Sequence, residues 1–350
     1  MSNFPRRALL AGLAAPAVFS QSKTQPLQGV TTGHGGFRYR VDLNWSKADP
    51  AKHPVRDCHE MVQSADGRLF LLTNHKQNNV LIYGTNGKLL DSWTLAFGGA
   101  HGLSINSEAN GKEYLYITDT GTGRVVKTTL GGEIVLELPH PLTCGAYTAR
   151  DVYSPTETAV GPNGDIYVAD GYGSQWILRF DRTGKYLSKF GGRSSQPVNK
   201  GKFLQAHGVA IDTRGPEPLV VCTARIRNEF AWFNLEGVHR RTVYLPGAYV
   251  SRPVIAGRHL YSGVCFGMFA NDFRMWQNRG FVTILDDTDR VVSNPGGLAP
   301  TYENGKLHVM LQDQPLFRNC HDVCVDSAGD LYVCQWNSGQ VYPYKLRREG

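Results

Sequence analysis

A short stretch with a histidine near its start recurs four times along the chain and constrains its fold more than any other feature. Each copy has a small residue or cysteine, the histidine, an apolar run of strand type, and a polar residue where a turn begins. The four histidines are His59, His101, His207 and His321. Each copy leads through a turn into a second β-type run at 69–72, 114–118, 219–222 and 331–334. Histidines in the same phase of a structural repeat are expected at equivalent positions in space.

The spacing of this repeat predicts the architecture. The equivalent positions His59, His101, Thr156 and His207 are 42, 55 and 51 residues apart. Repeats of roughly 40–50 residues with four strand-like runs are typical of β-propeller blades. No long segment has helical periodicity, which argues against a Rossmann fold, and a β-sandwich would not return one motif at this period. We therefore predict an all-β, six-bladed β-propeller that forms a single domain over residues 37–350.

The blades differ in how clearly the sequence marks them. The third is the clearest, with runs at 155–160, 165–169, 176–181 and 186–190. The fifth is degenerate, with runs at 253–256 and 260–265, then 281–285 and 291–292 after an insertion. The sixth starts at His321 and is predicted to end in a strand at 340–346. Either residues 37–43 or the residues after the sixth repeat are expected to complete a blade across the termini.

The N-terminus has the pattern of an export signal. Arg6-Arg7 precede an apolar stretch at 8–19, which is followed by polar residues at 20–23. The apolar core is too short to span a membrane, so residues 1–23 are interpreted as a cleavable signal. The paired arginines resemble a twin-arginine signal, although the general secretory route stays open. We expect a periplasmic or extracellular protein.

Charge and hydropathy limit the partners. The formal net charge is +7, and no long run of lysine and arginine is present. Nucleic acid is therefore not an expected partner. No stretch after the N-terminus is long and apolar enough to span a membrane. A small molecule or peptide in the central channel is the expected partner, and the oligomeric state is not determined by the sequence.

The repeat histidines predict a metal centre. Each begins the innermost strand of its blade, and these strands line the central channel. The best copies fall in blades two, four and six, which lie about 120° apart in a six-membered ring. Three imidazoles that leave one position open form a catalytic zinc site, and its ion lowers the pKa of a bound hydroxyl. We predict one tightly bound zinc on His101, His207 and His321, whose ring nitrogens converge to about 3–4 Å. His59 is expected nearby as an extra ligand outside the first three.

These residues resemble a known family, the NHL-repeat propellers of peptidyl-α-hydroxyglycine α-amidating lyases. The resemblance covers most of residues 59–346 and is strongest at 101–105, from Pro155 to the Asp170-Gly171-Tyr172 motif, at His207 and at His321-Asp322. It implies cleavage of a carbinolamide N–C bond that releases a peptide amide and glyoxylate. It also implies that His101, His207 and His321 are the zinc ligands.

The resemblance assigns further roles around the channel. Tyr172 is implied as the catalytic base, whose ordinary pKa of about 10 nearby cations would have to lower. Arg225 is implied to hold the substrate carboxylate in a bidentate pair. A structural calcium is implied, held by the carboxylate of Asp322 and the carbonyl oxygens of Met61 and Leu103. Where the family has a second catalytic arginine, this chain has Asn74-His75-Lys76, and Lys76 supplies the charge without the fork geometry.

Three functions remain open from the sequence. The first is a zinc-dependent lyase acting on an α-hydroxyglycine-type substrate. The second is a non-catalytic propeller that binds a protein or glycan, and the third is a four-histidine Fe²⁺ enzyme. His59 lies in the poorest copy, and four histidines in a six-bladed ring lack fourfold placement, which argues against iron. Metal analysis separates the third function from the first, and turnover separates the first from the second.

Overall fold

The structure, a computed structural model, describes residues 27–196 and 200–350. The predicted export signal at residues 1–23 lies outside these residues. The described chain is a six-bladed β-propeller, as the repeat spacing predicts. Its N-terminal hairpin consists of β1 (Thr31–His34) and β2 (Phe37–Asp42).

Blades one to three are antiparallel four-stranded sheets whose first strand lines the channel. Blade one consists of β3 (Cys58–Gln63), β4 (Leu69–Thr73), β5 (Val80–Tyr83) and β6 (Leu89–Trp93). Blade two consists of β7 (Ala100–Ser107), β8 (Glu113–Asp119), β9 (Arg124–Thr129) and β10 (Ile134–Glu137). Blade three consists of β11 (Glu157–Val160), β12 (Ile166–Ala169), β13 (Trp176–Phe180) and β14 (Tyr186–Gly191).

Blades four to six follow the same plan with one elaboration. Blade four consists of β15 (Ala206–Asp212), β16 (Leu219–Ala224), β17 (Glu229–Phe233) and β18 (His239–Tyr244). Blade five consists of β19 (Tyr249–Val250), β20 (Val254–Ala256), β21 (His259–Phe269), β22 (Asp272–Trp276), β23 (Phe281–Leu285) and β24 (Val291–Ser293). A small hairpin, β25 (Tyr302–Glu303) and β26 (Lys306–Leu307), precedes blade six, whose own strands are β27 (Cys320–Val325), β28 (Leu331–Gln335) and β29 (Tyr344–Glu349).

The N-terminal strands close the ring. Strand β2 pairs antiparallel with β29, with Val41 opposite Leu346, so the two ends of the chain share blade six. This resolves the alternative left open by the sequence, because residues 37–42 complete the last blade. Strand β1 then adds a further edge strand, which the sequence analysis did not predict.

The core lies between the blades rather than within any one of them. Six apolar clusters each combine residues from two neighbouring blades. Strand β4 illustrates the pattern: Leu69 and Leu71 face blade six, while Phe70 and Leu72 face blade two. Side chains alternate across a strand, so a strand covered on both faces is apolar throughout and shows no polar alternation.

Two strands depart from the predicted bounds. In blade six the last strand begins at Tyr344 instead of residue 340, because Asn337 and Gln340 adopt left-handed φ values of 47° and 64°. In blade five the channel strand is interrupted between β19 and β20 at Ser251-Arg252-Pro253. Pro253 has no N–H to donate to a neighbouring strand, which accounts for the interruption at this point.

Helix is almost absent, as expected. Within residues 27–196 and 200–350 the one helical segment is a 3-10 turn, Arg225–Arg227. No helix in this part of the chain has the length and apolar character needed to cross a membrane.

Candidate metal centre

A local backbone irregularity places each repeat histidine. The pairing of β3, β7, β15 and β27 with the next strand shifts register between Cys58 and Glu60, Ala100 and Leu103, Ala206 and Val209, and Cys320 and Asp322. Each shift falls at a histidine. A bulge bends a strand locally and re-aims its side chain, so these four histidines point into the channel. Blade three has Thr156 at this position and regular pairing.

The four imidazoles meet on the channel axis. His101 and His321 each contact all three other rings, with centroid separations between 4.8 and 5.0 Å. We call this group the histidine layer. Candidate ligand atoms of His59, His101 and His321 all lie within 4.8 Å of one another.

Five of the eight ring nitrogens in this layer have a hydrogen-bond partner and three do not. The Nδ1 atoms of His101 and His321 lie 2.8 and 3.0 Å from the carbonyl oxygens of Thr156 and His59, which orients both rings. The Nδ1 atoms of His59 and His207 and the Nε2 of His321 are buried without a partner. Buried polar atoms normally have partners, and an unpartnered imidazole nitrogen is a ligand atom for zinc, copper or iron. The residues present therefore fit a metal ion.

The rings are neutral, as metal ligands must be. Burial lowers the pKa of His59 to about 3, with further lowering by Arg225 and Arg56. Burial likewise holds the pKa values of His101, His207 and His321 well below their usual range. Neutral imidazole keeps a lone pair for coordination.

The choice of ligand set stays a prediction. His207 belongs to the layer through its ring contacts with His101 and His321. His59, which the sequence places outside the first three ligands, is part of the group whose ligand atoms converge. Three or four imidazoles are therefore available to one ion.

Tyr172 joins the histidine layer from the channel mouth. Its hydroxyl lies 3.1 Å from the Nε2 atoms of both His101 and His207. The residue is 42% exposed, so one edge faces solvent while the hydroxyl lies between two imidazoles. Burial of the hydroxyl raises the pKa of Tyr172, and Arg225 offsets part of that rise.

A buried carboxylate supports the loop that carries Tyr172. Asp170 accepts hydrogen bonds from the N–H groups of Ser154 and Ser174, both at 2.7 Å, and from the Tyr147 hydroxyl at 2.6 Å. Gly171 is required because a Cβ there would lie 2.5 Å from the carbonyl oxygen of Ala206. The Asp-Gly-Tyr motif thus positions Tyr172 through the hydrogen bonds of Asp170 and through the close backbone contact at Gly171.

Arg225 is buried beside the same group. Only 2% of it is exposed, and its guanidinium donates to the carbonyl oxygen of Val250 at 3.3 Å and to the Ser251 hydroxyl at 2.8 Å. It is close enough to Tyr172 and to all four histidines to affect their pKa values. A buried cation at this position can attract an anionic group that enters the channel.

Lys76 is not joined to the site by any contact within the described residues. It is exposed, and its carbonyl oxygen accepts from the Thr94 hydroxyl. Asn74, two residues earlier, reaches the layer, with its Nδ2 3.3 Å from His59 Nε2. The catalytic role of Lys76 stays a prediction.

The oxygens predicted to bind calcium do come together, but around an arginine. The Arg252 guanidinium donates to the Asp322 carboxylate and to the carbonyl oxygens of Met61 and Leu103. A cation already lies among these oxygens, so the residues present do not fit a calcium ion. The calcium site stays a prediction, and the position of Arg252 argues against it.

Sequence reasoning identified Asp322 but missed the three other charged residues that lie one position beyond the repeat position. Glu60 and Asp322 directly follow His59 and His321, Glu157 follows Thr156, and Arg252 follows Ser251. Their side chains are at most 8% exposed. Aligning the position after each repeat histidine would have revealed the acidic residues, whereas the irregular fifth blade concealed Arg252.

Comparison with known proteins agrees with this fold. No protein-family model matches the chain. It is 30% identical over 130 residues, 37% of its length and 35% of the relative's, to a "probable peptidyl-alpha-hydroxyglycine alpha-amidating lyase" of Caenorhabditis elegans. It is 26% identical over 187 residues to human NHL repeat-containing protein 3, covering 51% of this chain and 52% of that one. The chain thus spans about a third to a half of these curated relatives.

Solved structures support the same architecture. A streptogramin B lyase superposes with a TM-score of 0.55 at 12% identity, covering 89% of this chain and 98% of that one. Similarity at this identity concerns the fold alone. The curated relatives are thus amidating lyases and NHL repeat proteins, and the shared architecture is the six-bladed propeller.

Proposed function

We propose that this protein is a metal-dependent lyase, similar to peptidyl-α-hydroxyglycine α-amidating lyases, with its active site at the histidine layer. The observation that carries the proposal is the Tyr172 hydroxyl, 3.1 Å from Nε2 of both His101 and His207, beside unpartnered imidazole nitrogens. The curated relatives support a lyase-like propeller. The metal, the bond cleaved and the substrate are part of the proposal.

The proposed substrate is a carbinolamide, in which a peptide amide nitrogen is bonded to a carbon carrying hydroxyl and carboxylate groups. The hydroxyl proton leaves, the C–O bond becomes a carbonyl, and the C–N bond breaks with its electron pair on nitrogen. Protonation of that nitrogen gives the peptide amide, and the other product is glyoxylate. A bound divalent cation would lower the pKa of the substrate hydroxyl.

The chain's own residues supply position and proton transfer. Tyr172 is proposed to accept the hydroxyl proton and return one to the leaving nitrogen, which conserves protons overall. Arg225 is proposed to bind the substrate carboxylate, because a guanidinium pairs with a carboxylate through two parallel hydrogen bonds. Lys76 is proposed to add positive charge at the mouth, where an anionic substrate enters.

The test combines metal content with turnover on an α-hydroxyglycine peptide. Wild-type protein is expected to contain one zinc and to release glyoxylate. His207→Ala should lose zinc and remain folded, because the apolar clusters between the blades do not include His207. Tyr172→Phe should keep zinc and lose turnover, typically by about 10²–10⁴-fold for a general base.

His308→Ala is the matched control, because His308 is an exposed histidine whose described ion pair, at 3.4 Å, is with Glu303. It should keep both zinc and turnover. Zinc retained in His207→Ala would contradict the ligand set. Full turnover in Tyr172→Phe would contradict the catalytic role of the tyrosine. A folded protein without metal or turnover would favour the propeller that binds a protein or glycan.

A four-histidine Fe²⁺ centre is the second candidate. The observation that favours it is the inclusion of His59 in the group whose ligand atoms lie within 4.8 Å of one another. Elemental analysis separates the candidates: iron at one equivalent that disappears in His59→Ala supports the Fe²⁺ centre, and zinc that persists in His59→Ala supports the lyase.

We also propose that the protein is exported through the signal at residues 1–23. Arg6-Arg7 and the apolar stretch at 8–19 support this. N-terminal sequencing of the exported protein should find a start between about residues 18 and 24. An intact Met1 in the exported fraction would contradict the proposal.

A further inference from the structure

A second layer of side chains lies one residue further along the same channel strands. Glu60, Glu157, Arg252 and Asp322 come from blades one, three, five and six. We call these four residues the charged layer. The carboxyl side chains are at most 1% exposed and the arginine side chain is 8% exposed, so all four are removed from solvent.

Glycines leave the room that this layer needs. Blades two and four have Gly102 and Gly208 at the equivalent position. A Cβ on Gly102 would lie 2.4 Å from the Thr156 carbonyl oxygen, and one on Gly208 would lie 2.7 Å from the Arg252 Cα. Both distances are shorter than a carbon atom tolerates. Four side chains and two glycines therefore fill the channel at this level.

The Arg252 guanidinium is surrounded by oxygen atoms from several blades. Its Nε and Nη2 donate to the two Asp322 carboxylate oxygens at 3.1 and 2.9 Å, which is a bidentate pair. Its Nη1 donates to the Leu103 carbonyl oxygen at 2.5 Å, and its Nη2 donates to that of Met61 at 3.1 Å. Carboxylate oxygens of Glu60 and Glu157 lie 3.6 and 3.8 Å away.

This set of oxygens has the composition of a hard-cation site. Calcium takes six to eight oxygens from carboxylates and backbone carbonyls. Here three carboxylates and two carbonyls surround one cation, and the Oε1 of Glu60 and Oε2 of Glu157 accept no hydrogen bond. A guanidinium cannot satisfy every oxygen that a divalent ion could, which accounts for these two unpartnered atoms.

We propose that the Arg252 guanidinium takes the place of a structural divalent cation in this chain. It connects the channel strand of blade five to those of blades one, two, three and six. The wild-type protein therefore neither binds calcium in the channel nor depends on it, and removing the guanidinium exposes a latent oxygen-lined calcium site. This inference is independent of the proposed lyase activity, because it concerns a different layer and is read out by calcium binding.

The charges around Arg252 agree with a guanidinium that serves as the cation of this layer. Burial acts to lower the pKa of Arg252, but Asp322, Glu60 and Glu157 together raise it, so the guanidinium stays charged. Three carboxyl groups surround one guanidinium, so this layer has more acidic groups than cationic ones. A divalent ion would balance more of this charge than arginine does.

The first experiment uses the wild-type protein. Chelator-treated protein is reconstituted with one equivalent of Zn²⁺, and its Tm is measured with and without millimolar Ca²⁺. No change in Tm is expected, and elemental analysis should find no stoichiometric calcium in the protein as purified. Stoichiometric calcium that survives dialysis, or a Ca²⁺-dependent rise in the wild-type Tm, would overturn the proposal.

The second experiment removes the guanidinium. Arg252→Ala should unfold at a lower temperature than wild type, and Ca²⁺ should raise its Tm by more than about 2 °C, with binding detectable by calorimetry. Arg179→Ala is the matched control, because Arg179 pairs at 2.6 Å with the single carboxylate of Asp165. The Tm of Arg179→Ala should not rise when Ca²⁺ is added.

The outcomes of the second experiment are decisive in both directions. If Arg252→Ala is folded and its Tm does not rise with Ca²⁺, the proposal of a latent calcium site is contradicted. An Arg252→Ala protein that folds only when Ca²⁺ is present would support it. If that variant is insoluble in both conditions, Arg252→Gln, which keeps a polar side chain in the layer, is measured in its place with the same two expectations.

Discussion

The histidine layer and the charged layer are separated by one residue along the same strands, yet they treat charge in opposite ways. The histidine layer consists of neutral rings with unpartnered nitrogens, so a cation bound there would have to come from outside the chain. The charged layer has its own cation, Arg252, which donates to Asp322, Met61 and Leu103. The propeller axis therefore combines a place open to an external ion with a place already satisfied from within.

The difference shows how a repeat fold separates function from stability. Both layers arise from one strand position and its successor, repeated around a ring. Breaking a buried ion pair leaves an uncompensated charge, whereas replacing a neutral imidazole does not. We therefore expect the charged layer to control folding and the histidine layer to control ion binding.

The largest expected effect is that of Asp322→Ala in the charged layer. It removes both acceptors of the bidentate pair with Arg252, and it removes the acceptor 3.0 Å from the Met61 N–H. The free energy of unfolding should fall by about 3–5 kcal/mol, measured by urea denaturation.

The control is Asp66→Ala, which removes a solvent-exposed pair with Arg68. Its cost should be about 1 kcal/mol or less. Equal losses in Asp322→Ala and Asp66→Ala would contradict the structural role of the charged layer.

The second effect is stabilisation of the histidine layer by zinc. At a free concentration of 100 times Kd, zinc should raise the free energy of unfolding by about 2.7 kcal/mol. This rise in the free energy of unfolding should vanish in His101→Ala. Calcium at the same concentration should not produce it, because imidazole nitrogens bind zinc whereas calcium takes oxygen ligands. Thermal unfolding with and without each ion measures both. A gain that persists in His101→Ala would place the ion elsewhere.

The third expected effect is that the two layers contribute to the free energy of unfolding with opposite dependence on pH. Burial lowers the pKa of His59 from 6.5 to about 3, so its contribution to stability is complete above pH 6.5 and is lost as the pH falls. Burial raises the pKa of Glu157 from 4.5 to about 7, with Arg252 opposing the rise. Its contribution is therefore present below pH 4.5 and is lost as the pH rises through 7.

Glu157→Gln isolates the acidic contribution. Between about pH 4.5 and 7, the stability of wild type relative to this variant should fall by roughly 1–3 kcal/mol as the pH rises. Chemical denaturation at several pH values measures the difference. The exposed Glu133→Gln should give a curve parallel to wild type, and a parallel curve for Glu157→Gln would contradict the prediction.

The smallest expected effect is that of Asn74→Ala, which tests whether His59 is one of the metal ligands. Asn74→Ala removes the contact to His59 Nε2 and the hydrogen bond to the Asp57 carboxylate. The free energy of unfolding should fall by about 0.5–1.5 kcal/mol, while zinc content stays at one equivalent. Loss of zinc in Asn74→Ala, measured by elemental analysis, would show that the orientation of His59 matters for the ion and that His59 belongs among the ligands.

The architecture and the position of the candidate metal centre follow from the amino-acid sequence. A repeat position that returns at intervals of 42, 55 and 51 residues indicates blades, and ring closure makes the histidines at this position converge. Strand runs such as residues 69–72 of β4, which are apolar at every position, were readable because both faces of a blade are covered. Hydrophobic periodicity is a local property, so local sequence is sufficient for it.

The surroundings of those histidines depend on the folded chain and could not be predicted from local sequence. Arg252 lies in an interrupted strand without the repeat motif, and its oxygen partners Leu103 and Asp322 are distant along the chain. The closure of blade six by β2 was one of two alternatives until the strands were seen paired. Calcium was implied by the family resemblance, which assigned these oxygens as its ligands. A backbone carbonyl accepts from a guanidinium as readily as it coordinates an ion, so the occupant depends on which side chain the fold brings there.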